Sequence, residues 1–472
     1  MMGVHGFKLH LFFGVLVAVI IAVAFGNSSP QLIRDRIRET DNPFMQSLLD
    51  MLENPVETAR FFVSQVTLFS LIVWPLIIYC SIRIMRVMFE PLHVERKAGD
   101  MGYIMDDGRS KMEIANEMMR RRRPGNLPPV YPNGWFSVGR SMDLKKGDIW
   151  YKSMLGLELA VYRGEDGEAR ILHAYCPHMG ANIAVGGRVK GNCLECPFHG
   201  WSFEGKTGEV QSIPYASKIP SNAKTKHYKC LELNGIIHLW YHAEGEEPSW
   251  YPPDVKDIQA GKMKYHGKTD HVVNAHIEEI PENGADLNHL THLHEPILFT
   301  GRDLRHTTGG LGQYMSHLWE GEWHQDKDIS HIGVLNLKTK IAVLGVTLPA
   351  IEINAKAEQV GPGLVYLHIF LPIFGEALLI QTVTPLEPLL QEVQHTVFAV
   401  PGMPRILAKF ALWAESVQFE RDLMVWNHKT YEAKPMLTKE DHLVGKHRRW
   451  YSQFYSENSP RFQFKKKDGL DW

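Results

Sequence analysis

The chain has 472 residues, a formal net charge of −2 at pH 7 and 44% hydrophobic residues, enough apolar mass for two packed globular domains. A near-neutral balance excludes bulk electrostatic binding of nucleic acid, and the short run Arg120 to Arg123 is too isolated to restore it. Five scattered cysteines exclude a disulfide framework and fit a reducing compartment.

Residues 1–90 read as a membrane anchor region with candidate spans at 9–26 and 61–80. The first contains the apolar run Leu11 to Phe25, and its length, with Ala22 and Ala24, also suits a cleaved signal peptide. The second, Phe61 to Cys80, carries no charge over twenty residues, which at helical rise spans the hydrocarbon core. Ser64, Gln65, Thr67, Ser70 and Pro75 are tolerated in such a helix. A buried core helix is the competing reading. Arg83, Arg86, Arg96 and Lys97 follow it and place the later domains on the cytoplasmic side, a signal moderated by Arg34, Arg36, Arg38 and Arg60 before it. The expected location is a membrane, the endoplasmic reticulum, with the catalytic domains facing the cytoplasm. Residues 91–130, rich in charge and ending in Pro128, Pro129 and Pro132 nearby, read as a linker.

From 131 to 245, short apolar runs alternate with turn residues, which predicts a small antiparallel β domain. It contains Cys176-Pro177-His178 and, seventeen residues on, Cys196-Pro197-Phe198-His199. Two thiolates and two imidazoles in this order hold a [2Fe–2S] cluster asymmetrically, with Cys176 and Cys196 on one iron and His178 and His199 on the other, the Rieske arrangement. Neutral imidazoles raise the cluster potential and suit a relay towards oxygen chemistry. A structural Cys2His2 zinc site is the alternative, but zinc fingers group two Cys in one arm and two His in the other. Gly180 and Gly200 allow backbone amides to approach the sulfurs. Cys193 forms a lone Cys-x-x-Cys with Cys196 and reads as packing beneath the loop, and His173 as a strand end.

Residues 246–472 mix patterns: Leu364 to Leu371 reads as strand and Arg405 to Lys429 as helix. The predicted fold class is therefore α+β: the N-terminal membrane helix or helices, the small antiparallel β domain, then an α+β catalytic domain with an antiparallel sheet around a long helix and a deep apolar pocket. The segment Glu282-Asn283-Gly284-Ala285-Asp286-Leu287-Asn288-His289-Leu290-Thr291-His292-Leu293-His294 offers imidazoles for a two-His, one-carboxylate Fe(II) site of the kind that activates O2. Helical spacing pairs His289 with His292. His289 and His294 lie about 140° apart on an ideal helix and converge only through a bend. Asp286 is also a good helix N-cap.

Asp286-x-x-His289-x-x-x-x-His294, preceded by Glu282-Asn283, resembles the iron motif of the Rieske non-haem iron oxygenases. The resemblance implies His289 and His294 as ligands, His292 as a bystander, and Asp422 of Gln418-Phe419-Glu420-Arg421-Asp422 as the third ligand, with Glu415 and Glu420 as competitors. It also implies that Asp286 bridges a cluster histidine of a neighbouring subunit to an iron histidine, within a homotrimer. A membrane-anchored chain of this form, with Ile213-Pro214-Tyr215 and the tail Gly445 to Ser456, looks like the animal cholesterol 7-desaturases, the Neverland family. That family implies cholesterol and O2 as substrates, with hydrogen lost from C7 and C8 to give 7-dehydrocholesterol. Electrons run from an external reductase to the [2Fe–2S] cluster and on to mononuclear Fe(II). No Gly-x-Gly-x-x-Gly follows a strand, so NAD(P)H is expected to act through a separate ferredoxin or reductase. A Rieske steroid hydroxylase similar to ketosteroid 9α-hydroxylase is the runner-up, and a non-enzymatic Rieske electron carrier the alternative of a different class.

Overall fold

Alternating apolar residues from 315 to 399 fold into a meander of antiparallel strands joined by tight turns, and this sheet carries the second half of the molecule. The computed structural model describes residues 38, 46, 49, 54, 68–104, 108–121, 125–307, 314–371 and 373–462. Among the described residues the sheet has eight strands in the order 92–95, 264–273, 390–399, 375–387, 364–371, 346–360, 332–343 and 315–325. Neighbours are antiparallel except Leu92–Glu95, which runs parallel to Lys264–Val273.

The helix Arg405–Trp426 lies across strands Lys264–Val273 and Leu390–Ala399. Ala408 and Leu412 pack on Ala377, Leu379 and Val397, and Phe419, Leu423 and Trp426 on Val273, Val383 and Val393. These positions fall on one helical face, and each fully buried Leu or Phe contributes about 1.5–3 kcal/mol. The helix stops at Asn427, whose side-chain oxygen accepts the Asn274 backbone N–H at 3.0 Å and so ties the helix end to the strand before the iron motif. A C-terminal helix, His442–Tyr451, buries His447, Trp450 and Tyr451.

The β domain consists of three small sheets, in the orders 227–228, 169–173, 157–163, 149–154; 230–233, 236–241, 134–140; and 188–190, 193–195, 202–204, 210–212. Its apolar core is not separate from that of the catalytic sheet: Phe136, Leu159, Ile237 and Leu239 belong to one continuous cluster with Val273, Ile277, Val383, Phe419 and Trp426. The two halves are thus held rigidly by shared burial.

The chain divides into two compact units, 1–87 and 88–472. Candidate span 9–26 and the start of the second candidate, 61–67, lie outside the described residues. The second apolar segment does not end at Cys80: the helix Leu68–Phe89 continues through Arg83 and Arg86, and its apolar stretch is Ile72–Phe89, with mean hydropathy 1.7 and none of it buried. Two arginines are absorbed because the surrounding Ile, Met, Val and Phe keep the window apolar. By length and composition it can cross a membrane. The stretch 91–130, read above as a linker, instead supplies the edge strand Leu92–Glu95 and the helix Lys111–Arg121, where Ile114 and Ala115 are buried.

Candidate functional site

The two cysteine–histidine arms fold alike because their Pro and Gly residues are spaced alike. In the first, Cys176 N–H donates to Ala181 O at 2.8 Å and Gly180 N–H to Cys176 O at 2.8 Å; in the second, Cys196 N–H donates to Trp201 O at 2.8 Å and Gly200 N–H to Cys196 O at 3.1 Å. Gly180 and Gly200 adopt φ of +73° and +72°, open to glycine without strain. The arms bring like ligands together. Cys176 and Cys196 are buried in the domain's core with their thiols in contact, while the His178 and His199 rings sit 4.7 Å apart nearer the surface. His178 stacks on Trp201 at 4.8 Å, and the indole N–H of Trp201 donates to Tyr215 at 2.8 Å.

Burial pushes the Cys176 thiol up to about 11, against hydrogen bonds from the backbone N–H groups of His178 and Met179. A metal in place of the proton would favour the thiolate there, and the amides already aimed at sulfur are the donors a cluster would use. Thiols inside and imidazoles outside therefore fit an asymmetric [2Fe–2S] cluster. Cys193 starts strand Cys193–Glu195, and His173 ends strand Ala169–His173 and packs on Tyr175.

In the second half the structure brings His289, His294 and Asp422 together, with one ligand atom from each within 4.8 Å of the others. The two histidines converge because the helix Leu287–His292 is only six residues long. It ends at Leu293, and the chain turns so that His294 swings back to a ring separation of 5.1 Å from His289. His292, favoured by spacing alone, faces solvent. His294 Nε2 lies 3.2 Å from Asp422 Oδ1, and its Nδ1 meets Gln418 Oε1 at 2.9 Å. Burial pulls the His294 imidazole down, but Asp422 and Gln418 outweigh it and hold the pKa above its ordinary value. Gln418 thus fixes which ring nitrogen points to the carboxylate, the usual task of a partner behind a metal-binding histidine.

Of the competing carboxylates, Glu420 sits on the other side of the helix, fully buried in an ion-pair group with Arg96 at 2.8 Å, His271 at 3.2 Å and Arg302. Glu415 lines the same chamber as the cluster of three, and burial raises its pKa to about 7. Asp286 caps the short helix, accepting His289 N–H at 3.3 Å, while its side chain remains 38% exposed on the rim of an open groove of about 810 Å³.

Sequence reasoning missed the supports. Arg421, completely buried, donates to the carbonyls of Gly301 at 3.0 Å, Pro296 at 2.7 Å and Ile297 at 3.0 Å and so pins the loop after His294. Trp319 donates to His294 O at 3.3 Å. On the C-terminal helix, Arg448 pairs with Glu282 and His447 with Gln359 at 3.0 Å, bracing two sides of the chamber. Helical spacing alone would have placed Gln418 beside Asp422, four residues away on the same face. The chamber above the three ligands measures about 200 Å³ and is walled by Leu335, Leu337, Ala357, Val365 and Leu367 from the sheet and by Trp319. Two imidazoles and a carboxylate beneath an apolar chamber suit Fe(II) with open positions for O2 next to an apolar substrate.

Residues 134–225 match the model of the Rieske [2Fe-2S] domain, and residues 239–455 that of the 3-ketosteroid 9alpha-hydroxylase C-terminal domain. Dicamba monooxygenase bound to 3,6-dichlorosalicylic acid shares the fold at a TM-score of 0.52 and 15% identity, over 69% of this chain and 98% of that one. Fold and site together define a Rieske non-haem iron oxygenase, whose cofactors are a [2Fe–2S] cluster and mononuclear iron. Two curated relatives narrow the class: cholesterol 7-desaturase nvd of Hemicentrotus pulcherrimus is 46% identical over 97% of both chains, and that of Xenopus laevis 46% identical over 82% of this chain and 85% of its own. The chain belongs to the cholesterol 7-desaturase, or Neverland, family.

Proposed function

We propose that this oxygenase desaturates cholesterol between C7 and C8, giving 7-dehydrocholesterol. The observation that carries this reading is the near full-length similarity to cholesterol 7-desaturases, which reaches through both metal-binding halves. One hydrogen leaves C7 and one leaves C8; O2 takes them up with two electrons and two protons and departs as two waters. The electrons originate in NAD(P)H and arrive through a separate ferredoxin or reductase.

In this reading Cys176, His178, Cys196 and His199 hold the cluster, and His289, His294 and Asp422 hold the iron. When bound, these groups store and deliver single electrons and activate O2. The chain's own residues do the rest. Gln418 keeps the His294 ring in one orientation, Arg421 holds the loop that carries it, and the apolar walls exclude water and orient the sterol. At about 200 Å³ the chamber is below the ~300–1,000 Å³ usual for small-molecule sites.

Asp286 acts as the bridge for electrons between subunits of a homotrimer, docking the cluster tip of one copy beside the iron of the next. Its exposed carboxylate on the groove supports this, as do the exposed Phe198 and Tyr215 around the cluster histidines. The helix Leu68–Phe89 anchors the protein in a membrane, the endoplasmic reticulum, with the oxygenase on the cytoplasmic side.

A second reading, steroid hydroxylation, is favoured by the match of residues 239–455 to the 9alpha-hydroxylase domain. Product analysis separates the two. Purified protein supplied with cholesterol, O2 and a surrogate reductase should yield the ultraviolet bands of a conjugated diene; a product one oxygen heavier without them refutes desaturation.

A further inference from the structure

One end of the catalytic sheet exposes apolar side chains that neither metal centre uses. Two hairpin tips lie there: Leu344 is 72% exposed and Val346 66% on one, Ile373 86% and Phe374 38% on the other. The strand register places both tips at the same end, since Val343 pairs with Val346, Asn354 with Phe370, and Leu371 with Gly375. The same register brings Ala377, Ala399 and Lys264 to that end, and because Leu92 pairs with Gly267 in a parallel strand, the residues just before it run back toward the level of Lys264. Phe89, the last residue of the apolar stretch Ile72–Phe89, is therefore there too, with the Arg405 guanidinium 5.6 Å from its ring.

Leu344 carries an independent sign of function. It adopts φ of +50° and is followed by Gly345 at +77°, a two-residue turn whose first position ordinarily takes Asn, Asp or Gly. A leucine here is strained by its backbone and left in water, so neither local geometry nor packing accounts for it. From the tips a continuous apolar face leads inward. Leu337, Ala355 and Ile369 are cross-strand neighbours, two residues along from Leu335, Ala357 and Leu367 of the chamber wall, and so share its face. Ile353, Ala355, Ile369 and Leu371 are half-buried and form an apolar row between tip and chamber, with Ile369 and Leu371 packed beside the cluster of Ala408 and Leu412.

We propose that this sheet end is seated in the surface of a phospholipid bilayer, with Leu344, Val346, Ile373 and Phe374 among the acyl chains, and that sterol passes from the bilayer along this apolar row to the chamber. The route rests on the sterol reading above. The bilayer is the occupant because the chain arrives at this end directly from an apolar helix of spanning length, and because exposed Arg405 and Lys264 flank Phe89 where anionic headgroups would lie.

The test uses the full-length chain in vesicles of phosphatidylcholine with a minor share of phosphatidylserine. A nitroxide on Ile373→Cys or Leu344→Cys, in a Cys80→Ser background, should be relaxed more by O2 than by a water-soluble nickel chelate. A label on Met436→Cys, 99% exposed and away from these tips, should show the reverse. Tip labels that behave like the Met436 label overturn the bilayer contact. The double variant Leu344→Asp, Ile373→Asp should raise KM for vesicle-borne cholesterol roughly tenfold or more at unchanged kcat, while turnover of cholesterol delivered by cyclodextrin stays normal. An unchanged KM overturns the route, and a drop in oligomer mass with water-exposed labels assigns the tips to contact between copies instead. If the unmodified chain turns over no cholesterol by either delivery, the sterol reading fails, whereas the label measurement still decides the bilayer contact.

Discussion

At the scale of single residues, the two metal centres should be separable. His199→Ala should abolish the electron paramagnetic signal of the reduced cluster yet leave mononuclear iron bound; Asp422→Ala should do the opposite. Loss of both metals from either variant would show that the sites are not independent. A second residue-scale expectation concerns Glu278, where burial first, then repulsion by Glu282, raises the carboxyl to about 8 from 4.5. The folded state therefore holds this proton up to about pH 8, whereas the unfolded chain releases it near 4.5. Stability from this group is fully present below 4.5 and declines as pH rises to about 8, by at most a few kcal/mol. Glu278→Gln should flatten that part of a denaturation-versus-pH curve; an identical slope in both proteins would remove Glu278 as its cause. The Cys and His residues that the structure brings together were legible in the sequence, because metal chemistry favours such residue types at close spacing. Asp422 was preferred to Glu420 on the family motif alone, since both stand on one helix; the physical reason lies in the tertiary partners Arg96, Arg302 and His271, which make Glu420 an ion-pair residue.

At the scale of elements, the site is held by contacts between distant segments. The C-terminal helix joins the segment before the iron motif through Arg448 and Glu282, whose side chains are 17% and 10% exposed. Arg448→Ala strands a buried carboxylate, and the expected loss is about 3–5 kcal/mol in chemical denaturation. Arg448→Lys should recover only part, since an ammonium cannot reproduce the two-nitrogen contact. A loss below about 1 kcal/mol for the alanine variant would mean that water reaches Glu282. Long periodic elements such as Arg405–Trp426 and Leu364–Leu371 were readable from pattern. The strand Leu92–Glu95 was not, since four residues show too little alternation, and its pairing with Lys264–Val273 depends on a partner far along the chain. Likewise, the spacing of His289 and His294 looked unfavourable only as long as the helix was assumed to continue past His292.

At the scale of the whole molecule, the proposed transfer between copies makes a strong prediction. His199→Ala and Asp422→Ala are each expected to be inactive, yet co-expressed and co-purified they should regain activity, because an intact cluster on one copy can serve an intact iron on the next. Adding Asp286→Asn to the iron-competent partner should abolish that rescue while both metals remain bound. Absence of any rescue in mixed oligomers would confine electron flow to single chains. None of this was legible from composition, which is blind to assembly. The exposed Asp286 beside an open groove, with the exposed Phe198 and Tyr215 around the cluster histidines, is what supports it.

The merged hydrophobic interior has an engineering corollary. Because Phe136, Leu159 and Leu239 share one buried cluster with Val273, Val383 and Trp426, cutting the polypeptide near 245 would lay bare apolar surface on both fragments. Neither half should be expressible alone in soluble form, and chimeras that exchange the iron–sulfur module between relatives will need matched side chains along that seam.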